Sequence, residues 1–139
     1  VKAAQLHPQE GMTVAEAFAA IVHACLKHFR LNEDLVIADR AAGALHQARV
    51  ALRRLRSAFT LFKPVIGEDD HYLALREELR WFTNQFGDAR NLDVYLQRDL
   101  PEAERTAALE RREQAYDGVI AAMTDSRSRT LMIDLTGWV

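Results

Sequence analysis

The residues most able to do chemistry are the cations between positions 40 and 67, a stretch without a single aspartate or glutamate. They are Arg40, Arg49, Arg53, Arg54, Arg56 and Lys63. A guanidinium group binds a phosphate through two parallel hydrogen bonds, so a run of arginines suits a phosphorylated anion. The formal net charge of the whole chain is −2, but a local field depends on how charges are distributed and not on their sum. The stretch therefore predicts an anion-binding site.

Helical spacing places most of these cations on one stripe. An apolar series recurs every three or four residues, as in a helix packed in a bundle: Leu45, Ala48, Leu52, Leu55, Phe59 and Phe62. One position after each member comes a second series, rotated by about 100° around the helix. Its members are His46, Arg49, Arg53, Arg56, Thr60 and Lys63. Arg54 falls outside this second series and is predicted to face solvent.

A later segment repeats the arrangement. Its apolar series is Leu75, Leu79, Phe82, Phe86 and Ala89. The positions that follow these residues are Arg76, Arg80, Thr83, Gly87 and Arg90. If the two helices pack through their apolar faces, their guanidinium groups line one groove. A rigid row of such groups suits a linear chain of phosphates, and the binding would weaken steeply with salt.

A purely structural role is the alternative for these cations. Basic side chains beside an apolar seam commonly extend along the surface and pair with acids. Arg90 and Asp93 are spaced to pair on one helix face, and Arg76 and Arg80 flank two glutamates.

His46 also has two interpretations. A bound phosphate would favour its charged form near neutral pH, and otherwise it is a hydrogen-bonded histidine at the edge of the bundle.

Helix boundaries can be predicted along the first half of the chain, where strand signals are few. Thr13 and Glu16 form a capping box at the start of the first helix. Residues 31–38 are predicted to form a connection. The second helix is predicted to end at Lys63-Pro64, because proline disfavours a helical residue before it, and Gly67 supplies the turn.

The later boundaries complete the predicted fold. Asp69 or Asp70 caps the third helix, which is expected to run on through Leu96. Asp99, two residues before a proline, predicts the cap of a fourth helix, and Ser126 that of a last short one. The connections are short, so neighbouring helices are antiparallel. The sequence therefore predicts an all-α, antiparallel bundle of four to five helices.

Several classes of protein are disfavoured. No apolar run reaches the roughly 18–20 residues of a membrane span, and no signal peptide is predicted at the N-terminus. Cys25 is the only cysteine, which excludes a disulfide framework and favours a cytoplasmic location. The histidines lack metal-ligand spacing, and no phosphate loop or nucleophile elbow is present. We therefore expect a non-catalytic binding module without a metal or cofactor.

Two motifs stand in order along the chain. The first is His46–Ser57, HQARVALRRLRS, and the second is Gly87–Val94, GDARNLDV. The first resembles the signature helix of the CHAD family, the conserved-histidine α-helical domains, and the second resembles that family's Gly-x-x-Arg-Asp-x-Asp-Val pattern. Residues 126–139 are similar to the segment that closes the family's first helical half. The resemblance covers about residues 13–139 and leaves residues 1–12 as a disordered or extended segment.

The resemblance implies a domain that binds inorganic polyphosphate through basic residues on its helices. Members often accompany triphosphatase domains or associate with polyphosphate granules. Carried over to this sequence, it implies binding roles for His46, Arg49, Arg53, Arg54, Arg56, Arg80 and Arg90, to which the stripe adds Lys63. Asn91 stands where the family has an acid, so we expect a salt bridge to be lost there.

A complete CHAD domain has two similar helical halves, and this chain resembles only the first. Because the chain also begins at Val1 rather than methionine, we expect it to be a piece of a longer protein or to pair with a second copy. An unpaired half would expose an apolar face, which favours self-association or docking of a second half-domain.

Two other functions stay open. One is a protein-interaction or scaffolding bundle whose basic stripe pairs with an acidic partner, and it predicts no dependence on polyphosphate length. The other is a nucleic-acid binder. It is less favoured, because the aromatic residues lie on apolar seams and not between the arginines, so they offer no platform for base stacking.

Overall fold

α-Helices make up every regular element of residues 1–3, 13–66 and 69–138, which are the residues that the computed structural model describes. In chain order the helices are α1 (Val14–Asp39), α2 (Ala42–Ile66), α3 (Asp70–Asn84), α4 (Gly87–Tyr95), α5 (Glu102–Thr124) and α6 (Ser126–Trp138). The predicted all-α bundle is confirmed, and α3 with α4 corresponds to the predicted third helix with one interruption. The predicted turn at Gly67 and most of the predicted N-terminal segment lie outside the described residues.

α1 is longer than the sequence predicts. Thr13 accepts a hydrogen bond from the backbone N–H three residues on, at 3.1 Å, which confirms the predicted start. The connection predicted over residues 31–38 is wrong. Asn32 and Val36 are buried on the core side, so the helix stays packed to its end. Arg40 then adopts a left-handed conformation with φ of 49°, and its N–H bonds to the Val36 carbonyl.

α2 also continues past its predicted end. It passes through Lys63-Pro64 and ends at Ile66. Proline lacks an N–H and therefore removes one hydrogen bond to the preceding turn, but this loss is small when the helix ends two residues later. α3 begins as predicted, because the Asp69 carboxylate accepts a hydrogen bond from the N–H of His71 at 2.9 Å.

A single tight turn separates α3 from α4. The N–H groups of Gln85 and Phe86 bond to the carbonyls of Phe82 and Thr83 at 3.0 and 3.2 Å, which is a 3₁₀ pattern. Gly87 therefore opens α4 and does not lie inside a long helix. The apolar series continues across the break, since the rings of Phe82 and Phe86 lie 5.2 Å apart.

The last two helices begin with different caps from those predicted. α5 begins at Glu102 behind Pro101, without a side-chain cap from Asp99. Proline occupies the capping position, so the helix starts too late for that aspartate to reach it. α6 begins at Ser126, but the preceding Asp125 carboxylate accepts the hydrogen bond, from the N–H of Arg127 at 3.1 Å.

The core lies on one side of α2. The apolar series of α2 is buried from Leu45 to Phe59, and α1, α3 and α4 pack against this helix. Phe59 stacks on Tyr72 of α3 with ring centroids 5.0 Å apart. Trp138 of α6 completes this end of the core beside Phe59, at 5.8 Å. None of the described helices combines the length and the apolar composition that crossing a membrane requires.

Two leucines of α2 test this arrangement. Leu52 is 0% exposed and Leu61 is 72% exposed. We expect Leu52→Ala to lower the free energy of unfolding by about 2–5 kcal/mol, because it leaves a cavity in the core. Leu61→Ala should change it by no more than about 0.5 kcal/mol. Urea unfolding followed by circular dichroism measures both, and equal losses would contradict the assigned core face.

Candidate functional site

Two helices bring cations together around one histidine. His46, Arg49 and Arg53 lie on α2, and Arg90 lies on α4. α2 packs against α4, and the charges of all three arginines act on the His46 ring. We call these four residues the basic cluster. It contains members of both predicted stripes, so the two stripes meet at this end of α2.

The ion pairs of the described residues leave the basic cluster out. They are formed by Arg40, Arg112 and Arg127 with the carboxylates of Glu78, Asp93, Glu113 and Asp117. In the part of the chain that the structure describes, none of the eight predicted site residues forms a salt bridge. The positive charge of the cluster is therefore not neutralised by a described acid.

His46 is a half-buried member of the cluster with an unusual environment. Its Nδ1 atom is enclosed and has no hydrogen-bond partner among the described residues. Burial lowers the pKa of the imidazole, and the positive charges of Arg90, Arg49 and Arg53 lower it further. Burial and these three positive charges therefore both favour the neutral form of the ring.

The remaining predicted residues lie at different distances from the cluster. Arg56 lines a shallow depression together with Arg53 and Thr60, so it extends the cluster along α2. Lys63 and Arg80 are exposed, and no described contact joins them to the cluster. The structure brings together five of the eight predicted residues, namely the four of the cluster and Arg56. It leaves Lys63 and Arg80 at the periphery.

Arg54 lies on the other flank of α2. Its charge acts on Cys25 of α1, and it lines a depression with Ile21 of α1 and with Arg53 of the cluster. The side chain is half-buried, so the prediction that it faces solvent is wrong. A residue five positions from Arg49 is rotated by about 140° from it, and this rotation turns Arg54 towards α1 and away from α4.

Arg40 does not join the cluster, although it belongs to the same acid-free stretch of sequence. Its guanidinium lies 2.9 Å from the Glu113 carboxylate and 2.5 Å from that of Asp117. Both acids are on α5. Arg40 therefore joins the α1–α2 connection to α5 and is not available to an external anion.

The pairing of Arg90 with Asp93, expected from their spacing, is also wrong. Asp93 is 5% exposed, and its carboxylate accepts a hydrogen bond from Arg112 at 2.7 Å and another from the hydroxyl of Tyr116. Both donors are on α5, and no local sequence pattern connects them to Asp93. Since residues of α5 pair with this carboxylate, Arg90 is not paired with it and stays a cationic member of the cluster.

The described residues contain no group of three histidine, cysteine, aspartate or glutamate side chains placed to hold a metal ion. What the site offers is cationic hydrogen-bond donors on a rigid helical frame. Such donors bind anions, and arginine suits phosphate oxygens in particular.

The fold and the cluster define a helical-bundle domain with a cationic face. The family model of the CHAD domain matches residues 20–139, and the chain belongs to that family. The crystal structure of the CHAD domain from the plant Ricinus communis is similar, with a TM-score of 0.88 and 31% sequence identity over 99% of this chain. The match covers 49% of the plant chain, so this chain spans about half of its length. Comparison with curated proteins gave no significant match.

Two substitutions on α4 test whether the buried carboxylate of Asp93 stabilises the fold. Asp93→Asn removes the charge that pairs with Arg112 and should lower the free energy of unfolding by about 3 kcal/mol. Asp88→Asn makes the same chemical change at an exposed position of the same helix and should cost less than about 1 kcal/mol. Urea unfolding measures both variants. A loss for Asp93→Asn no larger than for Asp88→Asn would contradict a structural role for this ion pair.

Proposed function

We propose that this chain is a non-catalytic module that binds inorganic polyphosphate through the basic cluster. The observation that carries the proposal is the meeting of three arginines and one histidine from two helices, with no described acid paired to them. Unpaired guanidinium groups at one surface repel each other, and an anion that binds there relieves the repulsion. Membership of the CHAD family supports polyphosphate as that anion, through the function that the family resemblance implies.

The length of the basic stripe favours a linear polyanion over a single phosphate. The stripe runs from His46 to Lys63, which is about 26 Å along a straight helix at 1.5 Å per residue. A single phosphate contacts only part of this length. A chain of phosphates can contact the cluster first and then Arg56 and Lys63, so affinity should rise with chain length.

Arg54 has a smaller place in this proposal than the family resemblance implies. It lies on the α1 flank of the helix, where it lines a depression with Arg53, so a ligand that extends along the α4 flank leaves Arg54 to one side. We propose that Arg54 adds to the positive potential around α2 and does not contact the ligand that fills the cluster.

A nucleic acid fits the same surface less well. Sequence-tolerant binding of single strands depends on aromatic side chains on which bases stack. Phe59, Phe82 and Phe86 are buried in the core, and Trp81 is covered by the guanidinium of Arg127 at 3.8 Å. Polyphosphate has no bases to stack, so it needs only the cations.

A second half-domain or a second copy is proposed as an additional partner. The matched plant structure is about twice as long as this chain. Exposed apolar side chains of α1 and α6 offer a surface that such a partner can cover, among them Leu31, Leu35 and Ile133. We also propose a cytoplasmic location, with association to polyphosphate granules following from the binding itself.

The proposal is tested by titrating long-chain polyphosphate into the chain at low and physiological salt. We expect tight binding that weakens with salt, because each phosphate contact releases counterions. Arg49→Ala/Arg53→Ala should weaken binding at least about tenfold, since it removes two charge-assisted contacts. Isothermal titration calorimetry measures the affinity and its dependence on salt.

The matched control is Arg111→Ala/Arg129→Ala, which removes the same charge from exposed positions on α5 and α6. It should weaken binding less than about threefold, by reducing the general field alone. Equal losses in both double variants would contradict a specific site. No binding by the folded wild-type chain would leave two explanations, a missing half-domain or an acidic protein partner. Binding that does not depend on chain length would favour the partner.

Substitutions of Arg90 and Arg80 compare a member of the cluster with a residue at its periphery. Arg90 acts on His46 inside the cluster, whereas Arg80 is exposed without a described contact to it. We expect Arg90→Ala to weaken polyphosphate binding about tenfold or more and Arg80→Ala to weaken it less. The same titration compares the two variants, and a larger loss for Arg80→Ala would place the ligand along α3 instead of between α2 and α4.

A further inference from the structure

A groove follows the contact between α1 and α2 on the flank of α2 that carries Arg54. It consists of two depressions, of about 410 and 360 Å³, that follow one another along α2. The apolar lining of the first includes Ile21, Val50, Ala58 and Leu61. The second begins one helical turn further on, and its lining includes Val14, Phe18, Phe62 and Val65. We call the two depressions together the α1–α2 groove.

Large apolar side chains are exposed along this groove. Leu61 is 72% exposed, Val65 is 63% exposed and Val14 is 49% exposed. One exposed apolar side chain is ordinary on a protein surface, but a row of them beside a groove is typical of a binding surface. A chain of phosphates has no apolar group that could cover them. The α1–α2 groove is therefore suited to a ligand other than polyphosphate.

One end of the groove is cationic. Arg53 and Arg54 line the first depression, and neither takes part in an ion pair of the described residues. The described residues that line the second depression carry no charge. None of the described residues that line either depression is acidic. A ligand that matches the groove is therefore apolar along its length and negative at one end.

We propose that the α1–α2 groove docks an acidic amphipathic helix of a partner protein. The apolar face of that helix lies in the two depressions, and its carboxylates bind the guanidinium groups of Arg53 and Arg54. Arg54 and Val65 are about 16 Å apart along a straight helix at 1.5 Å per residue. This length matches about three turns of a partner helix, with apolar anchors at i, i+4 and i+7. The inference gives Arg54 a contact of its own and does not depend on polyphosphate binding.

Two synthetic peptides of equal charge serve as probes. The first is helical, with leucines at i, i+4 and i+7 and with glutamates in its first turn, where they also stabilise a helix. The second has alanine in place of the leucines, which keeps both the charge and the helix propensity. We expect the leucine peptide to bind the wild-type chain at least about tenfold more tightly, because only leucines fill the depressions. Fluorescence anisotropy of the labelled peptides measures both affinities.

Substitutions on α2 are compared with matched substitutions on α5. Leu61→Ala should weaken binding of the leucine peptide by about fivefold or more, through lost apolar contact, and should leave the alanine peptide unaffected. Arg54→Gln should weaken it by about threefold to tenfold, through a lost charge-assisted contact. Leu109→Ala and Arg111→Gln make the same kinds of change at exposed positions of α5 and should each cost less than about twofold. Circular dichroism checks that every variant is folded.

Three results would overturn the inference. They are equal binding of the two peptides, equal losses in the α2 and α5 variants, and no binding of either peptide by the folded wild-type chain at low salt. Each would leave polyphosphate binding standing, because that ligand is titrated separately and its site is tested on Arg49 and Arg90.

Two further measurements distinguish the other possible occupants. If the wild-type chain sediments as a dimer and Leu61→Ala as a monomer, a second copy fills the groove and the partner helix is overturned. If vesicles of phosphatidylglycerol bind the wild-type chain but not Leu61→Ala, and the chain does not prefer the leucine peptide, the groove is a site for an anionic lipid surface. A monomer that prefers the leucine peptide supports the partner helix.

Discussion

The position of α4, and with it the composition of the basic cluster, depends on one buried carboxylate. Asp93 must be paired, because an isolated charge is very costly to bury. Arg112 and Tyr116 of α5 supply the partners, and Arg112 also donates to the carbonyl of Arg40 at 2.6 Å. A single network thus joins α4, α5 and the α1–α2 connection. Asp93 is paired with Arg112 of α5. Arg90, on the same helix as Asp93, is therefore not held by that carboxylate, and its charge acts on His46 of α2.

α2 can carry unpaired cations because its other face is so well packed. Like charges at i,i+4, such as Arg49 and Arg53, cost a helix about 0.2–0.5 kcal/mol per pair. Each buried leucine on the opposite face contributes roughly 1.5–3 kcal/mol, and Leu45, Leu52 and Leu55 are at most 1% exposed. Packing outweighs the repulsion several times over. The fold therefore holds the arginines close together without an acid among them.

The sequence predicts what depends on local spacing and misses what depends on distant partners. The apolar series of α2 and the caps at Thr13 and Asp69 follow from spacing, and they are confirmed. The pairing of Arg90 with Asp93 follows from the same local rule and is wrong, because the true partner lies 19 residues away on another helix. The connection predicted over residues 31–38 is wrong for a similar reason, since packing against distant residues keeps that segment helical. The sequence predicts two basic stripes that line one groove, but not that they meet at His46 through Arg90 of α4.

In the proposed site, attraction for phosphate and control of the histidine come from the same geometry. Burial of the His46 ring is the larger effect that opposes its protonation, and the charges of the three arginines that would hold a phosphate oppose it further. Moving any of them away from the ring would weaken phosphate binding and would also relieve part of the repulsion that opposes a charged ring. The affinity for phosphate and the charge state of the ring are therefore not independent properties of such a cluster.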